Sequence, residues 1–176
     1  GGTINNGSLV LNAGTNLLTT SSGGTLSNLA INGEILLNSA NAAVSIAGLT
    51  TFSAARLTAS GASLRMAPGA TLNSLVVAEG ATTGTRNIVV GYGNVGTATF
   101  GPSAVVRLAA GAGGGLSIQN SSAGTVINNG LITAEATGQT LTINNSTLTN
   151  NGTLRCVIGT LSITPTNWTN PGTING

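Results

Sequence analysis

The chain has no histidine, no aspartate and no lysine, and only 5% of its 176 residues are charged. Ordinary globular domains carry about 25% charge. Each shortage removes a class of function. Without histidine there is no imidazole for general-base work and none to ligate zinc, and the serines have no partner to activate them. Glu34, Glu79 and Glu135 are the only acids. They lie too far apart in sequence to face one glycosidic bond or to form a calcium cluster, and they read as solvated turn positions. An enzyme is therefore not expected, and no cofactor. Arg56, Arg65, Arg86, Arg107 and Arg155 leave a formal net charge of +2, too small to steer the chain toward nucleic acid or anionic lipid.

Other shortages narrow the class further. Spanning a bilayer by a helix takes roughly 20 consecutive apolar residues. The uncharged run from Gly1 to Gly33 is interrupted throughout by Asn, Thr, Ser and Gly, so this segment is not expected to enter a membrane. Disorder is disfavoured because 40% of residues are hydrophobic and only 4 are Pro. Cys156 is the single cysteine and cannot form an internal disulfide. Strand alternation puts it on one face with Leu154 and Ile158, which predicts a small buried hydrophobe. Aromatics make up 2% of the chain. The two large amphipathic ones, Tyr92 and Trp168, are candidates for stacking on a sugar ring, although core or turn packing is the simpler account of both.

What the chain does have is glycine, 27 of them, and a recurring phrase. Asn5-Asn6-Gly7, Asn128-Asn129-Gly130 and Asn150-Asn151-Gly152 each stand between short aliphatic stretches. Asn and Gly tolerate positive φ, so each phrase predicts a turn between two strands. Stacked copies of such a turn would let the Asn amides hydrogen-bond as a ladder. Short aliphatic–polar–aliphatic units fill the rest, for example Val44-Ser45-Ile46, Leu64-Arg65-Met66, Leu116-Ser117-Ile118, Leu141-Thr142-Ile143 and Leu161-Ser162-Ile163. These are strands with one buried face. Nothing supports helix, because Gly or Asn breaks almost every ten-residue window.

Strands near three residues, with few aromatics, suit a parallel β-solenoid better than a sandwich or barrel. Thr140-Leu141-Thr142-Ile143 and Thr160-Leu161-Ser162-Ile163 lie 20 residues apart. A coil of roughly 20 residues gives about eight or nine coils and a rod about 40 Å long at ~4.8 Å per coil. The expected fold is thus all-β, one solenoid domain over 1–176, as a processed product or a segment of a longer repeat protein. The stretch Ala109–Gly115 is expected as a flexible turn or tight bend. No end cap is visible, and Gly2-Thr3-Ile4-Asn5 echoes Gly172-Thr173-Ile174-Asn175, so open ends are expected to pair with further coils.

Two motifs invite chemistry that their context opposes. Gly91-Tyr92-Gly93-Asn94-Val95-Gly96 matches the dinucleotide fingerprint in letters, but a strand pattern follows where a helix is needed. Thr97/Thr99, Thr140/Thr142 and Thr147/Thr149 would suit an ice-binding face only if stacked at one place in successive coils, and their spacing predicts scatter.

The stretch Arg86–Phe100, reading R-N-I-V-V-G-Y-G-N-V-G-T-A-T-F, resembles a repeat unit of bacterial autotransporter-type β-strand repeat proteins. The Gly-Thr-Leu/Ile and Asn-Asn-Gly phrases resemble those of filamentous-haemagglutinin-like passenger regions. The resemblance implies a right-handed parallel β-helix, export, and display outside the cell or on the bacterial surface. The function expected is structural: a fibre, sheath or surface stalk built by axial stacking. An adhesin or carbohydrate-binding passenger is the alternative. The partners expected are further copies of the chain and surface glycans.

Overall fold

The computed structural model describes all of residues 1–176. It contains strands and no helix. The strands of the first half are β1 (Thr3–Val10), β2 (Asn16–Leu18), β3 (Thr25–Asn32), β4 (Glu34–Leu37), β5 (Ala43–Ala47), β6 (Ala54–Leu57), β7 (Ser63–Met66), β8 (Thr71–Leu72) and β9 (Leu75–Ala78). Those of the second half are β10 (Arg86–Val90), β11 (Gly96–Phe100), β12 (Val105–Leu108), β13 (Leu116–Asn120), β14 (Gly124–Asn128), β15 (Leu131–Asn144), β16 (Thr147–Asn150), β17 (Thr153–Ile163), β18 (Asn167–Thr169) and β19 (Thr173–Asn175).

Strand pairing is parallel, each strand meeting the one a coil above or below. The chain is a parallel β-solenoid of about 8 turns. Three faces are visited in order. Face 1 holds the start of β1 and β3, then β5, β7, β10, β13 and the ends of β15 and β17. Face 2 holds the second half of β1 and β3, then β8, β11, β14, β16 and β18. The Ala30–Thr51 bridge and the Thr71 N–H to Gly48 carbonyl bond carry face 2 through the coil where no strand is assigned. Face 3 holds β2, β4, β6, β9, β12, the starts of β15 and β17, and β19. Coil spacing is about 22 residues, close to the 20 expected. The longest coils link Val76 to Val106 and Ile88 to Ile118; the first contains loop 79–85, the second loop 109–115, and both contain loop 91–95.

Two-residue alternation sends every second side chain inward. On face 1 one interior column runs Val44, Leu64, Ile88, Ile118, Ile143, Ile163. On face 3 another runs Leu17, Ile35, Ala55, Val76, Val106, Ile132, Leu154, Ile174. Each fully buried Leu or Ile contributes about 1.5–3 kcal/mol. That gain requires a coil on either side, so a coil in isolation has no core. The end coils show it: Ile4, Trp168 and Ile174 are each nearly half exposed. All three sit in columns that are buried elsewhere, at Leu26, Leu148 and Leu154.

The corners explain where glycine and asparagine are needed. Asn6, Asn28 and Gly48 all adopt positive φ, between 50° and 60°. They stack at the corner between faces 1 and 2. A side chain at Gly48 would collide with the Asn28 amide, whose Oδ1 accepts from the Leu49 N–H at 3.2 Å. The inserted loop 109–115 is a closely packed bend. Gly113 and Gly114 lie so close to the carbonyls of Ala81, Thr83 and Gly84 that no Cβ would fit.

Candidate functional site

The three Asn-Asn-Gly phrases do different jobs. Asn5-Asn6-Gly7 lies exposed within β1, and its turn comes from Asn6 and Gly7 with φ of 60° and 112°. Neither Asn128-Asn129-Gly130 nor Asn150-Asn151-Gly152 has positive φ. There the requirement is close approach: a Cβ at Gly152 would strike the Gly130 carbonyl, and one at Gly172 the Gly152 carbonyl. The expectation of positive φ at all three phrases is thus corrected for two of them.

These two phrases, joined by Asn170, build a ladder at the corner between faces 2 and 3. Asn128 Nδ2 donates to Asn150 Oδ1 at 2.7 Å, and Asn150 Nδ2 donates to Asn170 Oδ1 at 2.5 Å. Asn128 and Asn150 are fully buried. In register the column continues downward as Phe100 and Leu72, so an apolar column becomes an amide column. A second, outer rung joins Asn151 Nδ2 to Asn129 Oδ1 at 2.9 Å.

Face 3 carries a charge ladder. Arg56 reaches down to Glu34 at 2.6 Å and up to Glu79 at 3.0 Å. Glu135 is held from below by Arg107 at 3.6 Å and from above by Arg155 at 3.1 Å. The Glu34 carboxyl is held below its ordinary range by its hydrogen bond to Arg56, against the opposing effect of burial. The glutamates are therefore not free solvated turn positions; each faces an arginine. Sequence spacing carried the signal, because Glu34–Arg56, Arg56–Glu79 and Glu135–Arg155 are separated by 22, 23 and 20 residues, about one coil each.

Arg86 has left the surface entirely. It is fully buried, in the interior column continued by Leu116, Leu141 and Leu161. Its guanidinium donates to the carbonyls of Glu79, Gly80 and Gly84, tying down loop 79–85, and Nε has no partner. Burial without a carboxylate partner pushes its pKa down.

Two expectations about single residues change. Trp168 stacks above Leu148 in an interior column of face 2, so its exposure reflects the last coil and not an outward ring. Cys156 is half-buried against the core, whereas Ile158 is exposed. A bulge between Ala134 and Glu135 lets Val157 drop out of register and breaks the alternation.

Tyr92 is on the surface. The Gly91–Val95 loop, with φ of 64° at Gly91 and 91° at Gly93, links strand β10 to strand β11, with no helix opening there. It lays Tyr92 against Arg65 of β7. The Arg65 guanidinium sits 4.4 Å from the ring centroid, and Nη1 donates to the phenol oxygen at 3.0 Å. A depression of about 190 Å³ opens beside them.

The threonine pairs are also better ordered than their spacing suggests. Thr97/Thr99 and Thr147/Thr149 share face 2, with Thr125 and Ile127 directly between them. Ile127 and Asn167 interrupt the two outer columns, and Thr140/Thr142 lie on face 1.

Comparison with protein-family models, with curated proteins and with solved structures finds no match.

Proposed function

We propose that this chain is a structural β-solenoid rod, exported and displayed outside the cell, which forms a fibre, sheath or stalk through axial stacking of coils. The observation that carries it is the set of interior columns that stack coil on coil along the axis. Interior columns pass from coil to coil and reach half-exposed inward residues in the outermost coils, Ile4 in the first and Trp168 and Ile174 in the last. A parallel edge of that kind takes a further coil, of the same chain or of another copy. The phase is suitable: the last strand lies on face 3, and the next face in winding order is face 1, where β1 lies. The Gly-Thr-Ile-Asn echo does not mark equivalent positions, since Thr3–Asn5 is on face 1 and Thr173–Asn175 on face 3. Internal charge pairing on face 3 leaves little for pH or salt to disturb.

The test is electron microscopy of negatively stained material over a concentration series, with light scattering. Filaments that lengthen with concentration are expected. Isolated rods roughly 40 Å long at every concentration would refute self-assembly and leave a stalk continued within a longer chain.

A second reading, a glycan-binding passenger, is favoured by the Arg65–Tyr92 depression.

A further inference from the structure

We infer that Arg65 and Tyr92 form a binding site for an acidic sugar, a pyranose bearing a carboxylate, on the outer surface of face 1. The inference rests on the second reading above and names its ligand class.

Charge bookkeeping singles out Arg65. The chain has 5 arginines and 3 glutamates. Arg56, Arg107 and Arg155 share all three glutamates. Arg86 is buried and spends its donors on backbone carbonyls. The net charge of +2 therefore resides on Arg86, out of reach, and on Arg65, at the surface. Arg65 is the one accessible guanidinium without a carboxylate.

The surroundings suit a sugar acid. Thr3, Thr25, Ser45 and Arg65 form one outward column, so hydroxyls precede the guanidinium at intervals of ~4.8 Å. Ser45 is buried within that column. Arg65 Nη1 comes within 3.7 Å of where a Cβ on Gly23 would stand, so the side chain extends along the rod axis and not into solvent. Ser22, Thr25, Ser45, Arg65 and Tyr92 line the depression. With Nη1 engaged on the Tyr92 phenol, the Nε–Nη2 edge of the guanidinium remains for a bidentate carboxylate. Tyr92 is 40% exposed, which leaves ring surface for the apolar face of a pyranose. The Gly91 and Gly93 conformations bring the tyrosine there, which gives the glycine-rich loop a purpose unrelated to phosphates.

The experiment is calorimetric titration of the 176-residue chain with oligogalacturonate and, separately, a sialylated oligosaccharide, each against its neutral counterpart. Binding of at least one acid form is expected, weakening with salt, with the methyl-esterified or desialylated form about 10-fold weaker or worse. The two acid arms decide whether uronate or sialate is the source. Arg65→Gln is expected to lose about 10-fold or more and Tyr92→Ala several-fold, whereas Arg107→Gln, which removes an exposed cation elsewhere, leaves affinity unchanged. Circular dichroism checks that each variant stays folded. Equal binding of neutral and acid forms, or full affinity in Arg65→Gln, would overturn the acidic-sugar site while leaving glycan binding standing. No binding to any glycan would overturn both.

Discussion

Asn150→Leu is the sharpest test of how the rod is held together. The Asn150 amide is fully buried and makes both ends of a bridge: Oδ1 accepts from Asn128 at 2.7 Å and Nδ2 donates to Asn170 at 2.5 Å. Longer contacts run from Nδ2 to the carbonyls of Gly152 and Thr173, at 3.4 and 3.3 Å. Leucine has the same number of side-chain heavy atoms and a larger volume, so no cavity opens; the lost hydrogen bonds and some overpacking are what change. Asn128 Nδ2 keeps only the 3.4 Å contact to Gly130. One buried donor losing its partner costs about 1–3 kcal/mol. The Asn170 side of the bridge is exposed, where water replaces the lost bond at little cost. The expected loss is therefore about 2–3 kcal/mol, dominated by the Asn128 side. Asn170→Leu leaves the buried Asn150 Nδ2 with its longer contacts to the Gly152 and Thr173 carbonyls, so it should cost less, about 1 kcal/mol. Stacked coils add stability by nearest-neighbour terms and need not unfold as one unit. The assay is therefore hydrogen exchange resolved by coil, together with urea unfolding. Asn150→Leu should strip protection from β14, β16 and β18 and spare β5 and β7. Equal losses for Asn150→Leu and Asn170→Leu, or unchanged protection in β14, would refute the ladder as a source of stability.

Gly152→Ala places a methyl against the Gly130 carbonyl and should cost about 1–3 kcal/mol by wedging two coils apart. Gly2→Ala, which meets no atom and has no positive φ, should be silent; similar urea midpoints for the two variants would contradict the close-approach argument. Arg86→Met removes donors from the carbonyls of Glu79, Gly80 and Gly84. Faster exchange within loop 79–85 is expected, with a net loss of about 1–3 kcal/mol because relief of the buried charge offsets part of the cost. Undiminished protection there would show that the guanidinium does not organise the loop. For pH, Glu34 titrates below its ordinary value in the folded chain. Its contribution is thus complete above about pH 4.3, the unfolded value, and is lost as pH falls through the folded value. With no histidine, the urea midpoint should stay level from about pH 5 to 8 and drop only in acid. Arg56→Gln should shrink that acid drop by at most about 1 kcal/mol, since both side chains are about one-third exposed. A slope between pH 5 and 8 would contradict the assignment of the acid-sensitive stability to the glutamates.

The sequence by itself determined the class of object. Alternation of aliphatic and polar residues is local, so Val44-Ser45-Ile46 or Leu116-Ser117-Ile118 declares its buried side without reference to the rest of the chain. Short strands, frequent Gly and Asn, and scarce aromatics then leave a stacked parallel rod as the fold that buries them. The tertiary structure alone decided which residues meet. Loops 79–85 and 109–115 lengthen some coils, so sequence separation does not fix the face. The same Asn-Asn-Gly phrase therefore bends a corner on face 1 at Asn6 and packs a buried ladder at Asn128 and Asn150. The phase set by those loops also puts Thr97 and Thr147 on one face and Thr142 on another, and turns Trp168 inward. Pairing of Arg56 with two glutamates, burial of Arg86 and the meeting of Arg65 with Tyr92 have the same cause. Contacts between coils depend on the accumulated length of every turn before them, a sum that no local pattern carries.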